Sequence, residues 1–309
     1  MTLFKNRLKI RPVDTSGFCH LYPFKSRYMK INGLNCHYLD EGSGDPVVMV
    51  HGNPTWSFYF RRLISDLSPD CRCIVPDHIG CGLSDKPDTS GYDYRLSSRI
   101  HDLETLLDHL GVNRRITLIV HDWGGMIGTA FAVKYPERIS RMVILNTAAF
   151  FPPGDKPIPM RLRMLRNLPL PATVAVLGLN LFALSALFMA TTRRLPRAVK
   201  SGLVAPYNCW KNRIATLKFV QDIPLTEHDP GYDLVRHVSG HLDRLARIPK
   251  LICWGEKDFV FDMDYLAQWK RFFPDAEVCS FPDAGHYVLE DAPERVSSAV
   301  RNFLALHPI

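Results

Sequence analysis

Two hydrophobic rhythms run along the chain. Residues 27–31, 34–39, 46–50, 71–75, 116–120 and 142–145 form short alternating or continuously apolar runs, which predict strands. The first two flank Asn32-Gly33, a dipeptide suited to a two-residue hairpin turn. PVVMV at 46–50 and ITLIV at 116–120 carry almost no polar side chain, as expected of strands covered on both faces. Between the strands, residues 56–67, 96–110 and 124–134 repeat their apolar positions every three to four residues and predict helices, with Gly111 closing the second. Alternation of this kind builds a mostly parallel sheet with helices on both faces.

The alternation stops near Ala149. From Phe150 to about Ile248 the pattern is helical and broken by prolines, with no clear strand. It resumes with a strand at 251–254, a helix at 263–273, a strand at 277–281 and a helix at 293–306. The middle stretch therefore reads as an insertion after the sixth strand of one sheet. Residues 1–150 and 246–309 are expected to form the main domain and 151–245 a helical cap. Within the cap, 167–192 holds no charged residue, which is long enough to span a bilayer. It also holds Pro169, Pro171, Thr173, Asn180 and Ser185, so a buried or pocket-lining helix is the expectation. Arg161, Arg163 and Arg166 before it, and Arg193, Arg194, Arg197 and Lys200 after it, also suit self-association or peripheral contact with anionic lipid.

Composition narrows the class. With 309 residues, 46% hydrophobic and 22% charged, the chain can bury a sizeable core, and disorder is excluded. The formal charge of +7 comes with no nucleic-acid-binding motif, so no nucleic-acid partner is expected. Eight cysteines without a C-x-x-C pair fit neither a disulfide scaffold nor zinc. They predict mostly buried thiols in a reducing, cytoplasmic setting. The opening residues lack the charged-then-apolar pattern of a secretory leader.

The chemistry concentrates at His121-Asp122-Trp123-Gly124-Gly125. A buried strand ends there and a helix begins at once, the setting of a nucleophile elbow. The raised residue is a carboxylate. Acylating it would give only an anhydride, but it can displace a leaving group from saturated carbon and form an enzyme ester. The plainer alternative is that Asp122 caps the helix. His286, after the last predicted strand, is the candidate base. Asp258, after the penultimate strand, is the candidate acid, with Asp262 a near competitor. The order nucleophile, acid, histidine matches the α/β-hydrolase order. Asn146 ends the sixth strand, another place for such an acid, but an amide carries no charge. The loop His51-Gly52-Asn53-Pro54 follows the strand PVVMV and is placed to offer a backbone N–H to an anion. The Asn53 amide and the Trp123 indole add neutral donors.

Together these motifs resemble the haloalkane dehalogenase family of α/β hydrolases, over nearly the whole chain from about Tyr28. The resemblance implies an eight-stranded α/β-hydrolase fold with a helical cap after the sixth strand. It implies Asp122 as nucleophile, His286 as the base that activates water, Asp258 as the acid, and Asn53 with Trp123 as the halide-binding pair. The implied substrate is a small apolar alkyl halide, and no metal or organic cofactor is called for. Asn53, the cap segment 206–213 and the stretches 219–224 and 254–262 resemble the third subgroup, which also contains β-lactone decarboxylases of long-chain olefin formation. Dehalogenation is the first expectation and lactone decarboxylation by the same aspartate the alternative. Epoxide hydrolases are less similar; they would need two cap tyrosines, for which Tyr207 and Tyr232 are available. Fluoroacetate dehalogenases would need an arginine where Trp123 stands. A ligand-binding scaffold without turnover is the remaining class.

Overall fold

The computed structural model describes residues 12–309; the opening residues read above for a leader pattern lie largely outside them. Eight strands form one sheet: β1 (Arg27–Ile31), β2 (Leu34–Glu41), β3 (Asp45–Val50), β4 (Cys71–Pro76), β5 (Ile116–Asp122), β6 (Ile139–Thr147), β7 (Lys250–Gly255) and β8 (Glu277–Phe281). Their spatial order is β1-β2-β4-β3-β5-β6-β7-β8. Antiparallel pairing is confined to β1 with β2 and β2 with β4, and every later pair is parallel. Asn32 and Gly33 both take positive φ, at 49° and 85°, which a two-residue hairpin turn of the predicted kind demands.

β3, β5 and β7 are buried over nearly their whole lengths, and two apolar cores lie on opposite faces of the sheet. One packs helices Leu96–His109 and Trp123–Lys134 over one face. The other packs Arg61–Leu67 and Pro293–Leu306 over the opposite face. The two rhythms of the sequence are thus the two faces of one layered structure.

The observed elements depart from the pattern mainly at their ends. β6 begins three residues earlier than its apolar run because Arg141 is accommodated inside. Its guanidinium is buried and donates to Thr117 Oγ1 at 2.9 Å and to the carbonyls of Leu304 and His307. β5 runs on through His121 and Asp122, and the predicted helix at 56–67 is a tight turn, Ser57–Phe60, followed by Arg61–Leu67. Six of the eight cysteines are buried.

Between β6 and β7 the described chain forms helices joined by loops, with no strand. Its main helices are Met160–Asn167, Leu181–Met189, Arg197–Val204, Ile214–Gln221 and Tyr232–Gly240. The uncharged segment 167–192 is not one helix. Pro169–Gly178 and Leu181–Met189 meet at 74°, and no single helix among the described residues is long and apolar enough to cross a membrane. Asn180, left-handed at φ 56°, makes the corner.

Candidate active site

Asp122 is the last residue of β5 and takes φ 51°, ψ −127°, a region that a side chain other than glycine rarely occupies. The strain lifts its carboxylate above the carboxyl edge of the sheet, between β3 and β6. The turn has room for it because of glycines. A Cβ on Gly124 would lie 1.9 Å from the Val50 carbonyl oxygen, one on Gly125 1.7 Å from Thr147 Oγ1, and one on Gly52 2.1 Å from Asp122 Oδ1. Asp122 stands at the start of helix Trp123–Lys134, but its side chain makes no capping bond to it. The capping alternative therefore does not account for the residue.

The Asn53 N–H donates to Asp122 Oδ1 at 2.6 Å, and the Trp123 N–H also acts on this carboxylate. The carboxylate thus already occupies a small anion hole. Burial raises the Asp122 pKa, while the charge on His286 and these two N–H groups oppose the rise.

His286 follows β8 and places Nε2 3.6 Å from Asp122 Oδ2 and Nδ1 2.7 Å from Asp258 Oδ2. Burial by itself lowers the His286 pKa; Asp258, then Asp122, outweigh it, and the net shift is upward. Asp258 is itself held at every lone pair it offers. Oδ2 also accepts from Asn146 Nδ2 at 3.0 Å, and Oδ1 accepts from the N–H groups of Val260 and Phe261. Asp262, the competing acid, is used elsewhere: it caps helix Met263–Phe272 and binds Lys156 Nζ at 2.6 Å.

Asn53 is divided between two tasks. Its N–H holds Asp122, while Nδ2 donates to the Thr216 carbonyl at 3.0 Å. That bond ties the loop after β3 to helix Ile214–Gln221 and leaves the second amide N–H available. The Trp123 indole N–H has no partner among the described residues, and its ring packs 5.3 Å from Phe219. Both residues line the cavity described next.

Three further groups position the site, and of these the sequence marks only Asn146, as an amide where an acid could stand. Asn146, at φ 32°, holds Asp258 on one side and the N–H and carbonyl of Gly255 on the other. His121, buried and kept neutral by burial and the nearby His286, donates from Nε2 to the His286 carbonyl at 2.9 Å. Asp291 accepts from Gly285 N–H at 2.8 Å and from the N–H groups of Thr192 and Arg193, joining the histidine loop to the helical insertion. The sequence places Asn146 at the end of a buried strand but does not show its bonds to Asp258 and Gly255, and it carries no sign of the roles of His121 and Asp291.

A cavity of about 700 Å³ extends from Asp122, Trp123 and His286 toward helices Met160–Asn167 and Leu181–Met189. Its wall is almost wholly apolar, with Phe150, Val176, Leu181, Phe182 and Val260 among the lining residues. Tyr207 is fully buried with its hydroxyl toward the Thr55 carbonyl, and Tyr232 packs on Phe151. Neither of these cap tyrosines lines the cavity; the tyrosines that do, Tyr265 and Tyr287, come from outside the segment between β6 and β7.

Comparisons with known proteins agree with this architecture. A family model described as the alpha/beta hydrolase fold matches residues 45–293. A cis-3-alkyl-4-alkyloxetan-2-one decarboxylase from Shewanella oneidensis is 53% identical over 285 residues, which cover 92% of this chain and 89% of that one. Haloalkane dehalogenase 2 from Mycobacterium tuberculosis is 34% identical over 292 residues, 93% of this chain and 98% of that one. The crystal structure of a haloalkane dehalogenase from Bradyrhizobium elkani superposes with a TM-score of 0.81 at 25% identity, covering 91% of this chain and 98% of that one. The chain therefore belongs to the α/β hydrolase family, in the branch that contains both haloalkane dehalogenases and cis-3-alkyl-4-alkyloxetan-2-one decarboxylases.

Proposed function

We propose that the protein is a decarboxylase of β-lactones bearing two alkyl chains, and that Asp122 is its nucleophile. The observation that carries the reading is the cavity: about 700 Å³ of nearly unbroken apolar wall leading away from a single carboxylate. A short haloalkane would fill a small part of it. Two alkyl chains on a four-membered ring would fill far more, and only the ring needs the polar end. The 53% identity to a decarboxylase, against 34% to a dehalogenase, supports the same order. Dehalogenation, the first expectation from sequence, becomes the second reading.

The chemistry needs no group beyond those present. An Asp122 oxygen attacks the saturated ring carbon that bears oxygen, and that C–O bond breaks. The ring oxygen leaves as part of a carboxylate, toward the Asn53 and Trp123 donors. The C–CO₂⁻ bond then breaks, its electron pair forms the C=C bond, and the ester oxygen returns to Asp122 as the carboxylate. Carbon dioxide and an alkene depart. Negative charge stays beside donors throughout: the Asn53 and Trp123 backbone N–H groups hold Asp122, and the Asn53 amide and Trp123 indole are available to the leaving carboxylate. Inversion at the attacked carbon followed by antiperiplanar fragmentation converts a cis lactone into a cis alkene.

The same site supports halide displacement, because the Trp123 indole N–H and the second Asn53 amide N–H can receive a halide. In that reaction no carboxylate remains to expel the enzyme. His286 must then take a proton from water, which hydrolyses the alkyl ester and releases an alcohol.

One preparation tests both. Alkene and CO₂ release from a cis-3,4-dialkyl β-lactone is compared with halide release from bromo- and iodoalkanes. The proposal expects the lactone to be the better substrate, with a label in the ring oxygen recovered in CO₂. Halide release without alkene would reverse the order, and binding without any turnover would point to a ligand-binding scaffold.

A further inference from the structure

The cavity opens through a face that no part of the described fold covers. Helix Leu181–Met189 buries Ala183 and Leu187, yet turns Leu181, Leu184 and Phe188 to solvent, with Phe188 69% exposed. Their spacing of three and four places them on one side of the helix. The same three side chains line the cavity, as does exposed Met164 on the neighbouring helix. Leu170, 80% exposed, and Val174 extend the exposed apolar series without lining the cavity. A helix apolar on all sides belongs in a core or against lipid, and this one is half outside the core.

The chain that builds this face carries charge of one sign, with Lys200 against Phe188 and Arg161 among the residues lining the cavity. Between residues 156 and 221 there are eleven Lys and Arg and no Asp or Glu. The fold neutralises some of them, Lys156 through Asp262 and Asp264, Arg166 through Asp229, and Arg193 through Asp283. Arg161, Arg163, Arg194, Arg197 and Lys200 form no ion pair with a described residue, and Lys200 lies 4.7 Å from the centre of the Phe188 ring. Apolar side chains at a cavity mouth, rimmed by cations without counter-charges, match the apolar interior and anionic surface of a lipid layer.

We infer that this face docks on an anionic lipid surface and that the cavity takes its alkyl substrate directly from it. The docking stands independently; the delivery of substrate rests on the functional reading above. The purified full-length chain is sedimented with vesicles of phosphatidylcholine alone and of phosphatidylcholine with one-third phosphatidylglycerol. Binding to the anionic vesicles is expected, weakening several-fold as salt rises through about 0.5 M, where screening shortens the range of the rim charges. The Leu170→Ser/Val174→Ser variant should partition about tenfold more weakly, because two exposed apolar side chains no longer enter the lipid. Arg194→Gln/Arg197→Gln should weaken binding to anionic vesicles only. Failure of the wild type to bind anionic vesicles at low salt overturns the inference, as does undiminished binding by the Leu170→Ser/Val174→Ser variant. So does a wild type that self-associates through this face and ignores vesicles while that variant is monomeric. Vesicle binding by a chain that turns over neither lactone nor haloalkane would support the docking and defeat the functional reading alone.

Discussion

His286 Nε2 stands 3.6 Å from Asp122 Oδ2, while its Nδ1 is bound at 2.7 Å to Asp258. The imidazole therefore lies between two carboxylates, one bonded and one only close. Both favour its cation, and the cation in turn favours an ionised Asp122. Asp122, the proposed nucleophile, thus has a neighbouring cation that opposes the effect of burial on its carboxyl and makes no short bond to its Oδ2.

This arrangement makes the two reactions differ in their pH dependence. Ester hydrolysis needs neutral His286, whose pKa is raised once Asp258 and Asp122 have outweighed the lowering by burial. Haloalkane turnover should fall as pH drops through a value above that of an ordinary histidine. Alkene formation needs no base and should persist below that limb until Asp122 takes up a proton. Rate profiles for both substrates on one preparation check this, and coincident acid limbs would contradict it.

Trp123→Phe removes a donor that no other described group uses and keeps an aromatic ring in place. The leaving anion loses one hydrogen bond, which at such sites costs about 10²–10³-fold in rate. The loss should fall on kcat for both substrates, measured with the Tm to show that folding is intact. Asn53→Ala is less clean, because it also frees the Thr216 carbonyl.

Asn146→Leu leaves Asp258 Oδ2 with one partner fewer and removes the two bonds from Asn146 to the Gly255 backbone. Loss of a buried bond to a charged group costs about 1.5–3 kcal/mol. Activity should fall mainly through kcat, with KM little changed, and the acid limb of haloalkane turnover should move. A drop in Tm with an unaltered pH profile would make the residue merely structural.

Gly124→Ala places a methyl group 1.9 Å from the Val50 carbonyl oxygen, a backbone atom that cannot swing aside. Separation of β3 from the elbow should cost about 3 kcal/mol or more, read as a large fall in Tm or loss of soluble protein. Gly240→Ala, with nothing near its added carbon, should be tolerated.

Much of this was legible in the chain because the sheet is buried. Strands such as β3 and β5 must be apolar at nearly every position, so their runs stand out, and Asp122 stands out as the charge that ends one of them. Contacts between distant segments left no such trace. The bond from Asn53 to Thr216 and the three N–H groups gathered by Asp291 depend on loops that meet only in the fold. Arg141 hid the start of β6 for a related reason: its partners lie in β5 and near the chain's end. The bend at Asn180 was equally hidden, since an uncharged run shows length and not direction.

The measurement closest to the central claim, attack by Asp122 on saturated carbon, is the intact mass of a His286→Phe variant after incubation with 1-bromohexane. Loss of the base should stall the ester, so that the chain gains one hexyl group in place of a proton, located by peptide mapping on Asp122. An unchanged mass from a folded variant, with the wild type releasing bromide, would contradict the account.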